Sequence, residues 1–286
     1  MDAPPPQEDC RPFIRVAGYL EAMQLNAPRV LEANLDDGFL LLTDLGRVQY
    51  MEKLLAEPQF AEALYADALR ALTAMQKRGD AFQSLLPPYD EKLLRFELSL
   101  FHDWLCEKHL GIVFSHADES KWGQLCNLLV NSALDQPQVF VHRDYHSRNL
   151  MVTADNNPGI LDFQDAVEGP LTYDLVSLLK DCYVQWPAEK IAAWAHAFYR
   201  ELDAPIRKQV DEAGFMRCFD FMGVQRHLKA AGIFARLNHR DGKPGYMADV
   251  PRTLSYIVAL GTQRPELEFV VDLINSRCLP ALSEPS

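Results

Sequence analysis

Residues 139–162 read VFVHRDYHSRNLMVTADNNPGILD. An apolar run, Val139-Phe140-Val141, delivers His142-Arg143-Asp144 to a loop. Asn149 follows, then a second apolar run, Leu150-Met151-Val152. The turn Asp155-Asn156-Asn157-Pro158-Gly159 leads to Ile160-Leu161-Asp162-Phe163. The spacing therefore sets Asp, Asn and Asp at the edges of short strands. Those side chains in that order suit a phosphoryl-transfer site. One carboxylate takes the proton of an attacking hydroxyl. An amide oxygen and a second carboxylate hold Mg²⁺ on the phosphates of a nucleotide. On this reading Asp144 is the general base, and Asn149 and Asp162 are the metal ligands.

His-Arg-Asp, four residues, then Asn is the catalytic-loop pattern of protein kinases, where the later Asp opens Asp-Phe-Gly. Here Gln164 stands in place of that glycine. This departure, with His146 inside the loop and Asp165 after Gln164, resembles the aminoglycoside phosphotransferase superfamily of small-molecule kinases. The run Gly169-Pro170-Leu171-Thr172-Tyr173-Asp174-Leu175 strengthens the resemblance, because the family carries an Asp-Leu pair at a helix start there. Asp162–Tyr183 is most similar to the bacterial anomeric kinases for N-acetylmuramate and N-acetylglucosamine of cell-wall recycling. The resemblance implies an α+β, protein-kinase-like fold of the aminoglycoside phosphotransferase type. It would comprise an incomplete N-terminal β lobe with the hinge over 1–46, and a mostly helical C-terminal lobe over 47–286. It also implies ATP and Mg²⁺ as cofactors, and transfer to the C1 hydroxyl of an amino sugar. Two other readings stand beside it: an aminoglycoside or other small-molecule phosphotransferase, and a catalytically impaired fragment or pseudokinase that only binds a partner.

Composition narrows the classes. The chain has 286 residues, 48% hydrophobic and 24% charged, enough to bury a core. A net charge of −12 lacks the basic signature of a nucleic-acid binder. Six scattered cysteines without a Cys-x-x-Cys suit a reducing cytoplasm. The acidic, proline-rich start is no signal peptide, and no apolar run reaches the ~18 residues of a membrane span. A cytoplasmic monomer is expected.

Upstream, residues 1–9 read as a loop and 10–24 as a short helix. Val30–Asn34 and Phe39–Thr43 flank Asp36-Asp37-Gly38, a hairpin signal. By resemblance the segment after it, Thr43, Asp44 and Leu45, is the interlobe hinge whose backbone meets adenine. Apolar periodicity predicts helices over 50–78, from Asp90 to Leu105, and over 118–133. About five short strands are predicted, all before residue 165. Helices are predicted over 171–184, 188–202, 206–237, 251–260 and 264–275.

The resemblance also implies strands, a phosphate-covering loop and a phosphate-binding Lys ahead of Cys10. No Gly-rich phosphate motif is present, and the first lysine is Lys53. A shortened small lobe with weak ATP binding is the expectation, with Glu8 matched to the helix acid that pairs with that Lys.

The remaining assignments concern support and substrate. His142 and Arg143 are expected to support the loop, with Asp174 as partner or anchor. His146 is placed to reach phosphate or sugar, or to pack inside the loop. Arg148 is open to a role at the γ-phosphate or in solvent. Asp165 and Glu168 follow the metal Asp on the acceptor side. Gln225, Arg226, His227 and Lys229 cluster on a predicted helix, where basic groups would meet the carboxylate of N-acetylmuramate or form a solvated face. Tyr183 and Trp186 are open to stacking on a sugar or to core packing.

Overall fold

The computed structural model describes residues 1–4 and 8–283; of the loop expected over 1–9, residues 5–7 lie outside them. The chain divides into two compact units. The first comprises residues 1–88 and 137–212, the second 89–136 and 213–286. The first unit thus takes in both the expected small-lobe remnant and the catalytic stretch.

The first unit opens with residues laid on a hairpin rather than looping free. Asp2 bridges Phe39, and the Ala3 amide donates to the Gly38 carbonyl at 2.9 Å. Gly38 has φ +75°, and a Cβ there would lie 2.2 Å from the Ala3 oxygen, so only glycine permits this approach. Helix α1 (Arg11–Ala22) follows, burying Phe13, Val16, Ala17 and Leu20 at helical spacing. Strands β1 (Val30–Asn34) and β2 (Phe39–Leu42) pair antiparallel, as the turn signal predicts.

Pro58 divides the helix expected over 50–78. It cannot donate to the ladder, so α2 (Tyr50–Ala56) stops and α3 (Ala61–Gly79) starts after a 3₁₀ turn. Gly79 closes α3 where a Cβ would come 2.5 Å from Phe140 Cβ, which seats the helix end on strand β3 (Gln138–Val141).

Strand β3 pairs antiparallel with β6 (Val167–Pro170), so one strand follows residue 165, contrary to expectation. The register Val141↔Val167 supplies β3 with the ladder partner its buried backbone requires. Strands β4 (Leu150–Met151) and β5 (Gly159–Ile160) form a second short pair. Helices α6 (Tyr173–Leu179), α7 (Ala188–Glu201) and α8 (Ala204–Gln209) complete the unit.

The second unit is helical. It contains α4 (Glu91–Leu100), which runs on into a π-helical turn over Phe101–His109, and α5 (His116–Leu134), opened by a reciprocal Ser115–Asp118 capping box. Helix α9 (Glu212–Asp241) is 30 residues long and lies in this unit from Ala213 onward. The helix expected over 206–237 is broken instead at the extended, β-branched Val210. Helices α10 (Val250–Val258) and α11 (Glu268–Leu273) follow. Among the described residues no helix is long and apolar enough to cross a membrane, and none of the six cysteines forms a disulfide.

Candidate active site

The catalytic stretch is built by two antiparallel pairs. β3 ends at Val141 and releases the chain into the loop 142–149. β4 and β5 then form a hairpin whose register sets Leu150 opposite Ile160. The Leu161 amide continues that ladder to the Asn149 carbonyl at 2.9 Å. Hairpin register alone therefore brings Asn149 beside Asp162. The Asn149 amide nitrogen donates to Asp162 Oδ2 at 3.2 Å and to the Asp144 carbonyl at 3.0 Å. Both amide hydrogens face protein acceptors, which leaves the amide oxygen for a cation. Gln164, at the position of the kinase glycine, donates to Asp162 Oδ1 at 2.8 Å and holds the carboxylate from its other side.

Two of these positions have left-handed backbone: Arg143 at φ +77° and Asp162 at φ +63°. Such conformations cost on the order of 1–3 kcal/mol and persist where surrounding contacts fix them. Asp174 supplies the contacts at Arg143. Its fully buried carboxylate accepts the amides of His142 at 2.7 Å and Arg143 at 3.0 Å. It stands in the first turn of α6, so it anchors the front of the loop to a buried helix. At Asp162 the neighbouring Phe163 does the fixing. It is fully buried and packs on Phe13 of α1, with ring centroids 4.6 Å apart.

His142 is fully buried, and its Nδ1 accepts the Asp144 amide at 3.2 Å. The ring proton therefore sits on Nε2, which has the Leu161 carbonyl nearby but no well-formed hydrogen bond. Burial lowers the imidazole's pKa to about 4, while the charges of Asp144 and Asp162 oppose the shift. His142 is thus a neutral spacer between the loop and the β4–β5 hairpin.

The loop's far half is tied by contacts the sequence did not disclose. The Ser147 amide donates to Asp181 Oδ2 at 3.0 Å, and the Met51 amide donates to the Ser147 carbonyl at 3.0 Å. His146 lies edge-on to the Tyr183 ring at 5.5 Å, and Arg148 lies over it at 4.7 Å. Asp181 carried no spacing signal. Gln164 was visible only as a departure from the kinase glycine.

The proposed hinge joins this site directly. Thr43 exchanges hydrogen bonds with Arg29: its amide donates to the Arg29 carbonyl at 3.0 Å, and its hydroxyl accepts the Arg29 amide at 2.9 Å. The Asp44 carboxylate accepts the Gly46 amide at 2.8 Å. Beyond Thr43, among the described residues, the amides of Asp44 and Leu45 make no backbone bond. The Leu45 side chain reaches Gly159 of β5, and Gln49 bridges Met151 of β4. Lys53 is engaged elsewhere, over the Phe60 ring and beside Glu57. Glu8 is exposed and lies before α1, so it is not the helix acid expected of it.

Asp165 is exposed, three residues past Asp162, and Glu168 is half-buried in β6. Trp186 donates to the Tyr65 hydroxyl at 2.8 Å within an aromatic cluster with Trp194, so it packs rather than standing open. The α9 cluster differs more sharply from expectation. Arg226, His227 and Lys229 are 6%, 1% and 9% exposed, so α9 offers no solvated basic face there. Lys229 pairs with Glu97 at 3.0 Å, and Glu97 also accepts the Tyr89 hydroxyl. His227 stacks on Tyr256 at 4.7 Å. All of these partners lie in the second unit, whereas Asp144, Asn149 and Asp162 lie in the first.

A loop carboxylate, Asp144, beside the joined pair Asn149 and Asp162 suits a phosphotransferase. Comparison with known proteins agrees. The family model described as the phosphotransferase enzyme family matches residues 1–212, and the chain belongs to that family. The chain is 50% identical over 277 residues to the N-acetylmuramate/N-acetylglucosamine kinase of Pseudomonas aeruginosa, covering 96% of this chain and 80% of that protein. It is 45% identical over 277 residues to the protein of the same name from Pseudomonas putida, with the same coverage. The solved aminoglycoside 2'-phosphotransferase-IIIa, in its GDP complex, shares the fold at a TM-score of 0.56 and 14% identity, covering 85% of this chain and 80% of that one. The protein-kinase-like fold and the phosphotransferase class stand on these matches together.

Proposed function

We propose that the protein transfers the γ-phosphoryl group of ATP to the C1 hydroxyl of N-acetylmuramate and N-acetylglucosamine, in the cytoplasm, as a step in reusing cell-wall sugars. The observation that carries this is the meeting of Asp144, Asn149 and Asp162 at one hairpin end, joined by the Asn149 amide. The names of relatives half-identical over nearly the whole chain supply the acceptor.

In this reading Asp144 accepts a hydrogen bond from the sugar hydroxyl and takes its proton as the new P–O bond forms. ADP departs, and the proton passes from Asp144 to solvent. Asn149 and Asp162 offer the hard oxygen donors that suit Mg²⁺. The bound cation would neutralise charge on the phosphates. His142 stays neutral and shapes the loop, and Asp174 holds Arg143 in its left-handed turn. Thr43, Asp44 and Leu45 present backbone to adenine. His146 and Asp165 face the acceptor side. Lys229 and His227, paired inside the second unit, contribute to its packing.

The test is direct. The chain is incubated with Mg·ATP and each sugar, and the product is analysed by mass spectrometry and phosphorus NMR. Sugar 1-phosphate, with loss of the reducing end, is expected. Phosphorylation of kanamycin but of neither sugar would replace the amino-sugar reading with an aminoglycoside one.

A further inference from the structure

We propose that Asp181 is a positioning residue for the transfer reaction, holding the rear of the catalytic loop and the Tyr183 platform with one buried carboxylate. The inference rests on the phosphotransferase reading above and assigns a role that the spacing of the catalytic motif does not contain.

The loop from His142 to Asn149 has to hold its base and its metal ligand at fixed separation. Asp174 takes only its front, through the amides of His142 and Arg143. Behind Asp144 the loop turns on its own backbone, through His146 to the Asp144 carbonyl at 3.0 Å and Asn149 to the His146 carbonyl at 2.9 Å. Ser147 lies between those two turns, and its amide points into the protein at Asp181 Oδ2, 3.0 Å away. Asp181 is 1% exposed and Ser147 equally so. A carboxylate this buried requires hydrogen-bond partners to offset its lost hydration.

The second oxygen of Asp181 accepts the Tyr183 amide at 2.9 Å, closing a turn two residues on. That turn follows the end of α6 at Leu179 and fixes the direction in which Tyr183 leaves it. The Tyr183 ring then carries His146 on its edge and Arg148 on its face. One carboxylate thereby coordinates two segments, 142–149, which carries Asp144, and 181–183. The geometry demands two acceptor oxygens pointing apart. Asparagine offers one, and its amide nitrogen would confront a second N–H. Alanine offers neither.

The experiment compares the unaltered chain with Asp181→Asn and Asp181→Ala, using whichever amino sugar the unaltered chain phosphorylates. Positioning predicts that kcat falls about 10- to 100-fold in Asp181→Asn, while the KM for ATP stays within about twofold. Asp181→Ala should fall further, in the order of acceptors removed, after correction for the folded fraction from thermal unfolding. Unchanged kcat per folded molecule would overturn the proposal. So would a loss that follows the melting temperature instead of the acceptor count. Should either variant fail to fold, hydrogen exchange on the unaltered chain decides the matter. The amides of Ser147 and Tyr183 are expected to be protected, and free-loop exchange at Ser147 would overturn the clamp. Absence of turnover on both sugars by the unaltered chain would count against the amino-sugar reading, whereas the exchange result bears on Asp181 independently.

Discussion

Two polar clusters stand in this molecule, and they behave in opposite ways. The loop 142–149 with Asp162 keeps its functional side chains at the end of a hairpin, half-buried or exposed, with carboxylates tied from behind. The α9 cluster, Arg226 to Lys229, sinks its charges among Glu97, Tyr89 and Tyr256. The first directs its buried carboxylates, Asp174 and Asp181, at backbone amides, which fixes the loop. The second uses its charges on one another, which suits packing. Charge in a cluster therefore says little about function until its partners are known.

Changing each cluster separates these roles. The largest effect is expected at Asp144. Asp144→Asn should lower kcat about 10²- to 10⁴-fold with the fold intact, as loss of a general base does. Steady-state kinetics with circular dichroism as control would check it.

Lys229→Ala should act on stability instead. It removes the Lys229 ammonium from the buried Glu97 carboxylate, and breaking such a pair costs about 3–5 kcal/mol. Urea unfolding should show that loss. A raised KM for N-acetylmuramate at unchanged stability would instead make α9 a binding face and erase the contrast.

His142 gives a smaller, pH-dependent signature. Burial holds it neutral in the fold, with a pKa of about 4, while the unfolded imidazole titrates near its ordinary 6.5. The unfolded chain thus binds the proton first. Stability from this group is complete above pH 6.5 and declines as pH falls toward 4, by on the order of 3 kcal/mol at most. His142→Asn should flatten that part of the stability–pH curve. An unchanged slope would show that other groups set it.

Ser115→Ala is the smallest change. It removes one half of the α5 capping box and should cost about 1 kcal/mol without affecting turnover.

The same contrast explains what the sequence could reveal. Asp144, Asn149 and Asp162 were legible because 24 residues of hairpin and loop fix their separation, and backbone register is local. The hairpin before Thr43 was legible from its turn residues for the same reason. Asp181 was not, because its target, Ser147, lies 34 residues away and the contact exists only once α6 is packed. Strand β6 was missed because Gly169-Pro170 reads as punctuation, while its pairing with β3 is decided by tertiary contact. The burial of α9 had a visible signal that the basic cluster obscured. Phe219, Phe221, Met222, Val224 and Leu228 lie on more than one side of the helix, the mark of an element enclosed by others.

The measurement that bears most directly on the central claim is calorimetric titration of ATP into the chain with and without Mg²⁺, repeated on Asp162→Ala. Mg²⁺ is expected to tighten ATP binding in the unaltered chain, and this gain is expected to disappear in the variant. An equal Mg²⁺ effect in both proteins would contradict a metal site built from Asn149 and Asp162.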